Sequence, residues 1–482
     1  MEYNLSSLKP EALFRFFEEI SAIPRGNREL NAIAAYLTDF AEKHGLEYVR
    51  DKECNVFIRK PASAGREEEE PIILQAHIDM VWEKNAGNPH DFWNDPIRVF
   101  IKGDRLTANG TTLGGDDGIG VAMILAILDD SSLSHPPLEC LLTANEETGM
   151  DGAHAIDASL IRGRKLINID SEKEGEITAG CAGGIDLIHT LPFTRVANTN
   201  KMIKIEVKGL AGGHSGIDIH RGRSNAVRIM ARILSRLYED EVCGLAALKA
   251  GSKMNSIPRE CFATVAVTDP ARAKELILSF EPELRNELTA DDKKFVLHVS
   301  RAAKEETCIS PKDTRKLIHL LTLIPCDVLR MSFKAPGIVE TSSNLARLRI
   351  NDDDSVLIGV SARSLLRSRL DEVVSLHRAL AKEFGTVLVE SGRYPAWEYR
   401  EGTELQKKFS ESYARVSGGK KTTVVLIHAG LECGIFSEKL PGLDAISIGP
   451  DMSDIHTPRE SLSISSSVRI YETVVDMLSR KD

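Results

Sequence analysis

The spacing of hydrophobic residues switches between helix-like and strand-like over the first part of the chain. Two stretches within residues 1–50 have the spacing of amphipathic helices, and Pro24 marks the break between them. Short apolar runs of strand length follow, with a helical segment among them. Strands are predicted at residues 55–59, 71–77, 138–142 and 165–169, and a helix begins at the glycine-rich segment 114–120. This alternation indicates an α/β domain with a mostly parallel central sheet.

The pattern changes after about residue 195. Apolar residues then alternate with lysines, as in strands with one face in water. Helices are predicted at residues 225–238 and 271–288, and strands near 262–267, 295–299 and 355–360. A helix at 403–416 and an apolar run at 444–450 resemble the first part again. We therefore expect an α/β catalytic domain in two pieces, residues 1–195 and 396–482, interrupted by an inserted α+β domain at residues 196–395.

Metal-compatible and acid-base side chains follow four apolar strands at the point where each ends. These side chains are His77, Glu146, Glu147, Asp170 and His456. A further acid, Asp116, lies just before a helix that continues from Gly118, where backbone N–H groups favour an anion. In parallel α/β sheets the functional crevice lies at the carboxyl ends of the strands. The sequence therefore predicts that these side chains converge on one site.

Two histidines and three carboxylates form a ligand set suited to zinc, with cobalt or manganese as substitutes. The five candidate ligands are His77, Asp116, Glu147, Asp170 and His456. Five ligands exceed what one tetrahedral zinc needs, whereas one carboxylate that bridges two metals uses all five. Each residue alone has a simpler interpretation, such as a helix N-cap for Asp116. Their shared position at strand ends favours the metal site.

Charge and composition exclude several classes of protein. The chain of 482 residues has 61 basic and 71 acidic side chains and a net charge of −10, which argues against a nucleic-acid partner. Its apolar runs are shorter than the ~20 residues of a membrane-spanning helix, and its first residues lack the apolar segment of a signal peptide. The eight cysteines form no C-x-x-C pair, which fits a reducing compartment. We expect a cytoplasmic protein that contacts no membrane.

Other catalytic motifs fit poorly. The glycine-rich segments match neither G-x-G-x-x-G after a strand nor a Walker A loop, so nucleotide binding has weak support. The segment GGHSG resembles a nucleophile elbow, but G-x-S-x-G would need glycine where Ile217 stands. The sequence therefore argues against a serine hydrolase.

Seven segments together resemble one enzyme family. They are QAHIDM at 75–80, GTTLGGDDGIG at 110–120, NEETGMDGA at 145–153, NIDSEKEGEITAGCAGG at 168–184, KGLAGGHSG at 208–216, MNSIPRE at 254–260 and IHAGLECG at 427–434. The chain resembles, over essentially its whole length, the Xaa-His dipeptidases (aminoacyl-histidine dipeptidases). These belong to the di-zinc peptidase group that includes carboxypeptidase G, the aminoacylases and the carnosinases. The resemblance implies hydrolysis of Xaa-His dipeptides such as carnosine, with broader dipeptide activity.

The resemblance also implies a role for each motif residue. Two Zn²⁺ ions per subunit would be held by His77, Asp116 and Asp170 on one side and by Glu147 and His456 on the other, with Asp116 as the bridge. Asp79 would orient His77, and Glu146 would be the general base that deprotonates the attacking water. A cis peptide is expected between Asp116 and Asp117.

Further roles implied by the resemblance concern the short peptide substrate and a partner subunit. His214 would reach an active site from the inserted domain, across a homodimer formed through that lid domain. Asn255, Arg363 and the backbone at Gly430 would bind the substrate carboxylate and carbonyl, and Glu432 the amino end of the peptide.

Two alternatives to a dipeptidase remain open at this point. An aminoacylase, or N-acyl amino acid amidohydrolase, would keep the same metal residues and recognise an acyl group. A noncatalytic zinc-binding assembly protein would leave Glu146 without a role.

Overall fold

The structure, a computed structural model, describes residues 5–26, 29–239 and 242–481, without the side chains of residues 242 and 243. The first elements in chain order are α1 Glu11–Ser21, α2 Asn31–Lys43, β1 Glu47–Arg50, β2 Val56–Lys60, β3 Ile72–His77, β4 Phe100–Lys102, β5 Arg105–Thr107, α3 Gly115–Asp129, β6 Leu138–Thr143, α4 Asp151–Ala155, β7 Lys165–Asn168 and β8 Glu176–Cys181.

A second series follows: β9 Gly183–Pro192, β10 Arg195–Ala197, β11 Lys201–Lys208, β12 Gly213–His214, α5 Ala226–Tyr238, β13 Val242–Ala250, β14 Ser256–Ile257, β15 Cys261–Val267, α6 Pro270–Ser279, α7 Glu281–Glu287, β16 Val296–Arg301, β17 Thr307–Ile309, α8 Pro311–Leu323, β18 Asp327–Met331, β19 Val339–Ile350, β20 Ser355–Ser364, α9 Arg367–Phe384 and β21 Val387–Tyr394. The last elements are α10 Glu404–Val416, β22 Thr423–Ile427, α11 Glu432–Lys439, β23 Asp444–Ser447, β24 Met452–Ser453, β25 Ser461–Ser463 and α12 Ile464–Ser479.

The chain divides into two compact units. The first unit comprises Met1–Gly180, Tyr399–Leu426 and Leu431–Asp482, and the second comprises Cys181–Glu398 and Ile427–Gly430. The predicted domain boundaries near residues 195 and 395 stay a prediction. Strand β9 precedes the first of these boundaries and belongs to the sheet of the second unit, because it pairs with β20 and β21 there.

An eight-stranded sheet forms the centre of the first unit, in the order β1-β2-β6-β3-β7-β23-β8-β22. The four middle strands, β6, β3, β7 and β23, are mutually parallel. The outer pairs β1–β2, β2–β6 and β23–β8 are antiparallel. The predicted α/β class is confirmed, with four parallel strands in the middle of the sheet. The carboxyl ends of four neighbouring strands therefore lie at one edge.

Helices of the first unit pack their apolar faces into one core. In α1 the buried side chains Leu13, Phe17 and Ile20 recur at helical spacing, and this helix packs against α3. Residues 117–128 of α3 are all buried, so this helix lies inside the unit. Burial on every side explains why its sequence is apolar throughout. A buried central helix thus continues directly after the Asp116-Asp117 pair.

The second unit combines helices with a sheet of antiparallel strands. Its nine-stranded sheet has the order β16-β11-β15-β13-β19-β20-β9-β21, and β18 pairs with β19. Helices α5, α8 and α9 contribute buried apolar residues to one core with this sheet. The single helix expected at residues 271–288 is wrong, because the structure has two helices, α6 and α7, that divide at Phe280. Pro282 explains the break, since proline lacks an N–H group and clashes with the preceding turn.

Within the described ranges, no helix is both long enough and apolar enough to cross a membrane.

Candidate metal centre

The carboxyl edge of the four parallel strands gathers the side chains that the sequence singled out. His77 is the last residue of β3, and Asp170 follows β7 by two residues. Glu146 and Glu147 lie in the turn after β6, and His456 lies between β24 and β25. The site is therefore built from strand ends and the loops that follow them.

Asp116 lies between two histidines and uses a different oxygen toward each. Its Oδ1 lies 3.1 Å from His77 Nε2, and its Oδ2 lies 3.1 Å from His456 Nε2. The backbone is non-helical at Asp116, with φ −84° and ψ 112°, and at Asp117, with φ −107° and ψ 37°, so the regular part of α3 begins only after this pair. The peptide between Asp116 and Asp117 is cis, as expected. One carboxylate thus faces two separate imidazoles.

Two other acids complete the surroundings of these histidines. Asp170 Oδ1 lies 3.5 Å from His77 Nε2, and Glu147 Oε1 lies 2.8 Å from His456 Nε2. Three groups of three residues could each hold a metal ion, because the ligand atoms within a group all lie within 4.8 Å of one another. The groups are His77, Asp116 and Asp170; Asp116, Glu147 and His456; and His77, Glu146 and Glu147. The first two groups share Asp116.

Negative charge is in excess at this edge. Burial and the charges of Asp116 and Glu147 raise the pKa of Asp170 to about 6, despite the nearby His77. Burial, with Asp170, Glu432 and Glu147 nearby, holds the pKa of Glu146 well above its usual range. Hydrogen bonds to Asp116 and Glu147 raise the pKa of His456 to about 11. A donor set of nitrogen and oxygen atoms with surplus carboxylate charge fits a divalent cation.

Asp79 holds the two glutamates and contacts His77. Its carboxylate accepts hydrogen bonds from the backbone N–H groups of Glu146, at 3.1 Å, and Glu147, at 3.3 Å. His77 Nδ1 lies 3.1 Å from the Asp79 carbonyl oxygen and 3.5 Å from its carboxylate Oδ1. Asp79 therefore contacts both segments, and its side chain is fully buried.

Asp117, which the sequence argument left without a role, anchors the strand end beside it. Its buried carboxylate accepts the backbone N–H groups of His77 and Gly120, each at 3.2 Å. Its neighbour Asp116 faces the histidines instead. The sequence carries no separate signal for this role, because Asp116 and Asp117 are the same residue type within one motif.

Glu432 contacts residues of β3 and β6 and is fully buried. Its Oε2 accepts hydrogen bonds from Gln75 Nε2 at 2.6 Å and from the Thr143 hydroxyl at 2.7 Å. Burial raises its pKa to about 8. Oε1 has no hydrogen-bond partner in the described part of the chain. The structure thus places Glu432 in a buried polar network of the first unit.

The remaining predicted residues lie in the second unit. Two backbone N–H groups, those of Gly216 and Ile217, donate to His214 Nδ1 at 3.1 and 3.2 Å. Because Nδ1 accepts, a neutral ring carries its proton on Nε2. Burial and the charge of Arg363 lower the pKa of His214, which favours this neutral form. His214 is therefore prepared as an Nε2–H donor.

Three further residues of the second unit differ in their surroundings. Arg363, on β20, is buried, and its Nη1 donates to the Tyr394 hydroxyl. Asn255 is exposed, and its carbonyl accepts the Ser215 N–H at 2.8 Å. Gly430 is half-buried in the short segment Ile427–Gly430 that the second unit takes from the end of β22.

Two buried charged residues near Asp116 were missed by the sequence argument. Arg25 is 1% exposed and Glu460 is 3% exposed, and both contact the backbone of the segment that carries Asp116. Arg25 lies between Pro24 and Gly26, in the break between the first two predicted helices. The sequence gives no signal of its burial, because arginine is usually exposed.

Histidines and carboxylates meet at the carboxyl edge of a parallel α/β sheet, in groups that share one aspartate. This arrangement is typical of metal-dependent hydrolases with two cations. The chain belongs to peptidase family M20/M25/M40, whose model matches residues 73–480.

Known proteins of high similarity cover nearly the whole chain. The chain is 39% identical to the cytosol non-specific dipeptidase of Escherichia coli (strain K12) over 479 residues, which covers 98% of each protein. The structure of aminoacylhistidine dipeptidase from Vibrio alginolyticus matches with a TM-score of 0.91 and 38% identity, over 98% of this chain and 97% of that one. Aminopeptidase PepT from Bacillus cereus matches with a TM-score of 0.57 and 16% identity over 98% of both chains, which shows a shared fold.

Proposed function

We propose that this protein hydrolyses dipeptides, with Xaa-His dipeptides such as β-alanyl-histidine among its substrates and broader dipeptide activity. The observation that carries the proposal is the Asp116 carboxylate, whose two oxygens face His77 and His456 in two groups of potential metal ligands. The two named dipeptidases, each similar over nearly the full length, support the dipeptide as the substrate class.

The residues fit a pair of divalent cations. We propose two Zn²⁺ ions per subunit, one held by His77, Asp116 and Asp170 and the other by Asp116, Glu147 and His456, with Co²⁺ or Mn²⁺ as substitutes. Bound cations of this kind supply Lewis acidity and lower the pKa of a water molecule to about 7. Asp79 holds His77 and the glutamate backbone in place for them.

Glu146 is proposed as the general base. It belongs to the third group of potential ligands, with His77 and Glu147, so its carboxylate lies next to the metal centre without being needed for either three-residue set. Its raised pKa suits a group that accepts a proton from water and passes it to the leaving amine. Such proton transfer typically contributes a factor of ~10²–10⁴.

The second unit is proposed to supply substrate contacts. His214, as an Nε2–H donor, would stabilise the developing oxyanion in the active site of a partner subunit, within a homodimer formed through the inserted domain. Arg363 carries a buried positive charge suited to the peptide carboxylate. Asn255 and the backbone at Gly430 would bind the same end, and Glu432 the amino end. A cytoplasmic location is proposed from the name of the Escherichia coli relative.

A substrate panel with metal-defined protein tests this proposal. Protein stripped by chelator and reloaded with zinc is expected to hydrolyse β-alanyl-histidine and other dipeptides, and the stripped protein to be inactive. N-acetyl amino acids and longer peptides are the matched comparison. Faster hydrolysis of N-acetyl amino acids than of any dipeptide would indicate an aminoacylase, and zinc binding without hydrolysis would indicate a noncatalytic protein.

A further inference from the structure

The segment that carries Asp116 is held from two sides by two buried residues of opposite charge. Glu460 contacts it through the N–H groups and Arg25 through a carbonyl group. Both side chains are almost fully buried in the first unit. Burying a charge is costly unless it is paired and hydrogen-bonded, so these two residues need an explanation.

Glu460 accepts hydrogen bonds from four consecutive backbone N–H groups. The donors are Leu113 at 2.7 Å, Gly114 at 3.1 Å, Gly115 at 2.7 Å and Asp116 at 3.4 Å, shared between its two carboxylate oxygens. The Glu460 N–H in turn donates to the Thr457 carbonyl at 3.0 Å, within the turn that follows His456. One carboxylate thus connects the segment of Asp116 to the segment of His456.

Arg25 makes the corresponding connection toward His77. Its Nη1 donates to the carbonyl oxygens of Ile78, at 3.2 Å, and Asp79, at 3.0 Å, directly after His77. Its Nη2 donates to the Gly114 carbonyl, two residues before Asp116. A guanidinium suits this task because its donors have a fixed planar geometry.

The glycines of the GGDDG motif make room for this arrangement. A Cβ atom on Gly114 would lie 2.5 Å from Arg25 Nη2 and 2.8 Å from Met80 Sδ, and the residue has a φ of +72°. A Cβ atom on Gly118 would also lie 2.5 Å from Arg25 Nη2. The contacts of Arg25 therefore explain why these two positions of the motif are glycine, which metal ligation by Asp116 does not explain.

We propose that Arg25 and Glu460 are positioning residues that fix the distance from Asp116 to His77 and to His456, respectively. The inference rests on the proposed metal centre and concerns neither the substrate nor the proton transfer. Residues that orient metal ligands typically change metal affinity or activity 10–100-fold when they are substituted. Arg25 and Glu460 act on the backbone of the ligand segments, so the same effect is expected from them.

The test compares Glu460→Gln and Arg25→Lys with matched buried residues of the first unit. Glu139 is 2% exposed and accepts the N–H groups of Arg162 and Gly163, next to the opposite end of β6. Arg66 is 2% exposed and donates to the carbonyl groups of Leu478 and Arg480. Glu139→Gln and Arg66→Lys therefore remove the same kinds of contact away from the metal centre.

Metal affinity, measured by competition with a chelator, is the main readout, with the thermal midpoint of the metal-free protein beside it. Glu460→Gln and Arg25→Lys are expected to bind zinc about 10–100-fold more weakly than the parent, and excess zinc is expected to restore part of the lost kcat with little change in KM. The two control variants are expected to lower the thermal midpoint and leave zinc affinity unchanged.

Unchanged zinc affinity in both test variants would overturn the inference, whatever their stability. If Glu460→Gln does not fold, Glu460→Asp is measured instead, because it keeps the charge and withdraws the oxygens by one methylene. A parent protein that binds zinc and hydrolyses no dipeptide would overturn the proposed function and leave this inference standing.

Discussion

His456 Nε2 lies 2.8 Å from Glu147 Oε1, although 309 residues of sequence separate them. The contact joins the end of the chain to the loop after β6, and the second unit lies between them in sequence. Asp116 contacts the same imidazole nitrogen at 3.1 Å. Both parts of the first unit must therefore fold together before this half of the site exists.

Asp116→Ala is expected to lose both metal ions. Its two oxygens face different histidines, so its removal takes a ligand from both groups and leaves two cations without the charge between them. The metal content of the variant is measured by atomic emission after gel filtration has removed unbound metal. Asp129→Ala, at the far end of α3, is the control and should keep the parent content. Two zinc ions retained by Asp116→Ala would rule out the bridging role.

Glu146→Gln is expected to keep its metal ions and lose at least ~10²-fold in kcat, with KM little changed. Glutamine has nearly the same shape and cannot accept the proton. Steady-state kinetics on a dipeptide, together with metal analysis, give the answer. Glu147→Gln is the contrasting variant, because Glu147 contacts His456 and its loss should reduce metal content. Activity of Glu146→Gln within a few-fold of the parent would place the base elsewhere.

The strand-end residues could be predicted because two independent patterns agreed on them. Apolar runs fixed where the strands end, and His77 and Asp170 are chemically recognisable as ligands. Parallel pairing of β6, β3, β7 and β23 then brings these ends together. Sequence distance did not matter, since one sheet gathers strands from both ends of the chain.

Arg25 and Glu460 could not be predicted in the same way. A charged residue in a loop is normally exposed, and only the folded structure shows that these two are buried against backbone groups. The break between α6 and α7 is different, because Pro282 was visible in the sequence and its effect inside a helix is known. The hydrophobic spacing continues through this segment, whereas the proline ends the first helix.

Two buried histidines of the second unit predict a loss of stability in acid. His189 Nε2 lies 2.9 Å from His377 Nδ1, and His189 Nδ1 lies 2.8 Å from the Thr386 hydroxyl. Burial lowers the pKa of His189 to about 4, and burial together with His189 lowers the pKa of His377 to about 3, from an ordinary 6.5. Below pH 6.5 the unfolded chain therefore binds protons that the folded chain does not.

The contribution of this pair to the free energy of unfolding is accordingly expected to be complete above pH 6.5. It is expected to decrease as the pH falls toward 4, by roughly a few kcal/mol. His377→Gln removes one of the two titrating groups, so its unfolding free energy should change less between pH 7.5 and 4.5, in urea titrations, than that of the parent. His319→Gln, at an exposed position of α8, is the control. An equal pH dependence in parent and His377→Gln would contradict the assignment.

His214→Ala is expected to keep both metal ions and lose catalysis. In the folded second unit, two backbone N–H groups donate to Nδ1, so the ring presents an Nε2–H group to a developing oxyanion, and such a donor is typically worth ~3–4 kcal/mol. Mixing two inactive variants tests whether this donor acts in the site of a partner subunit. If it does, mixing His214→Ala with Glu146→Gln protein should restore activity. Each mixed dimer would carry one site with both residues intact. Random exchange makes about half of the dimers mixed, so the recovered activity is expected to reach up to about a quarter of the parent value. Exchange is confirmed with differently tagged subunits, and two Glu146→Gln preparations mixed in the same way are the control. A mixture that stays inactive despite confirmed exchange would mean that His214 acts within its own chain or has no catalytic role.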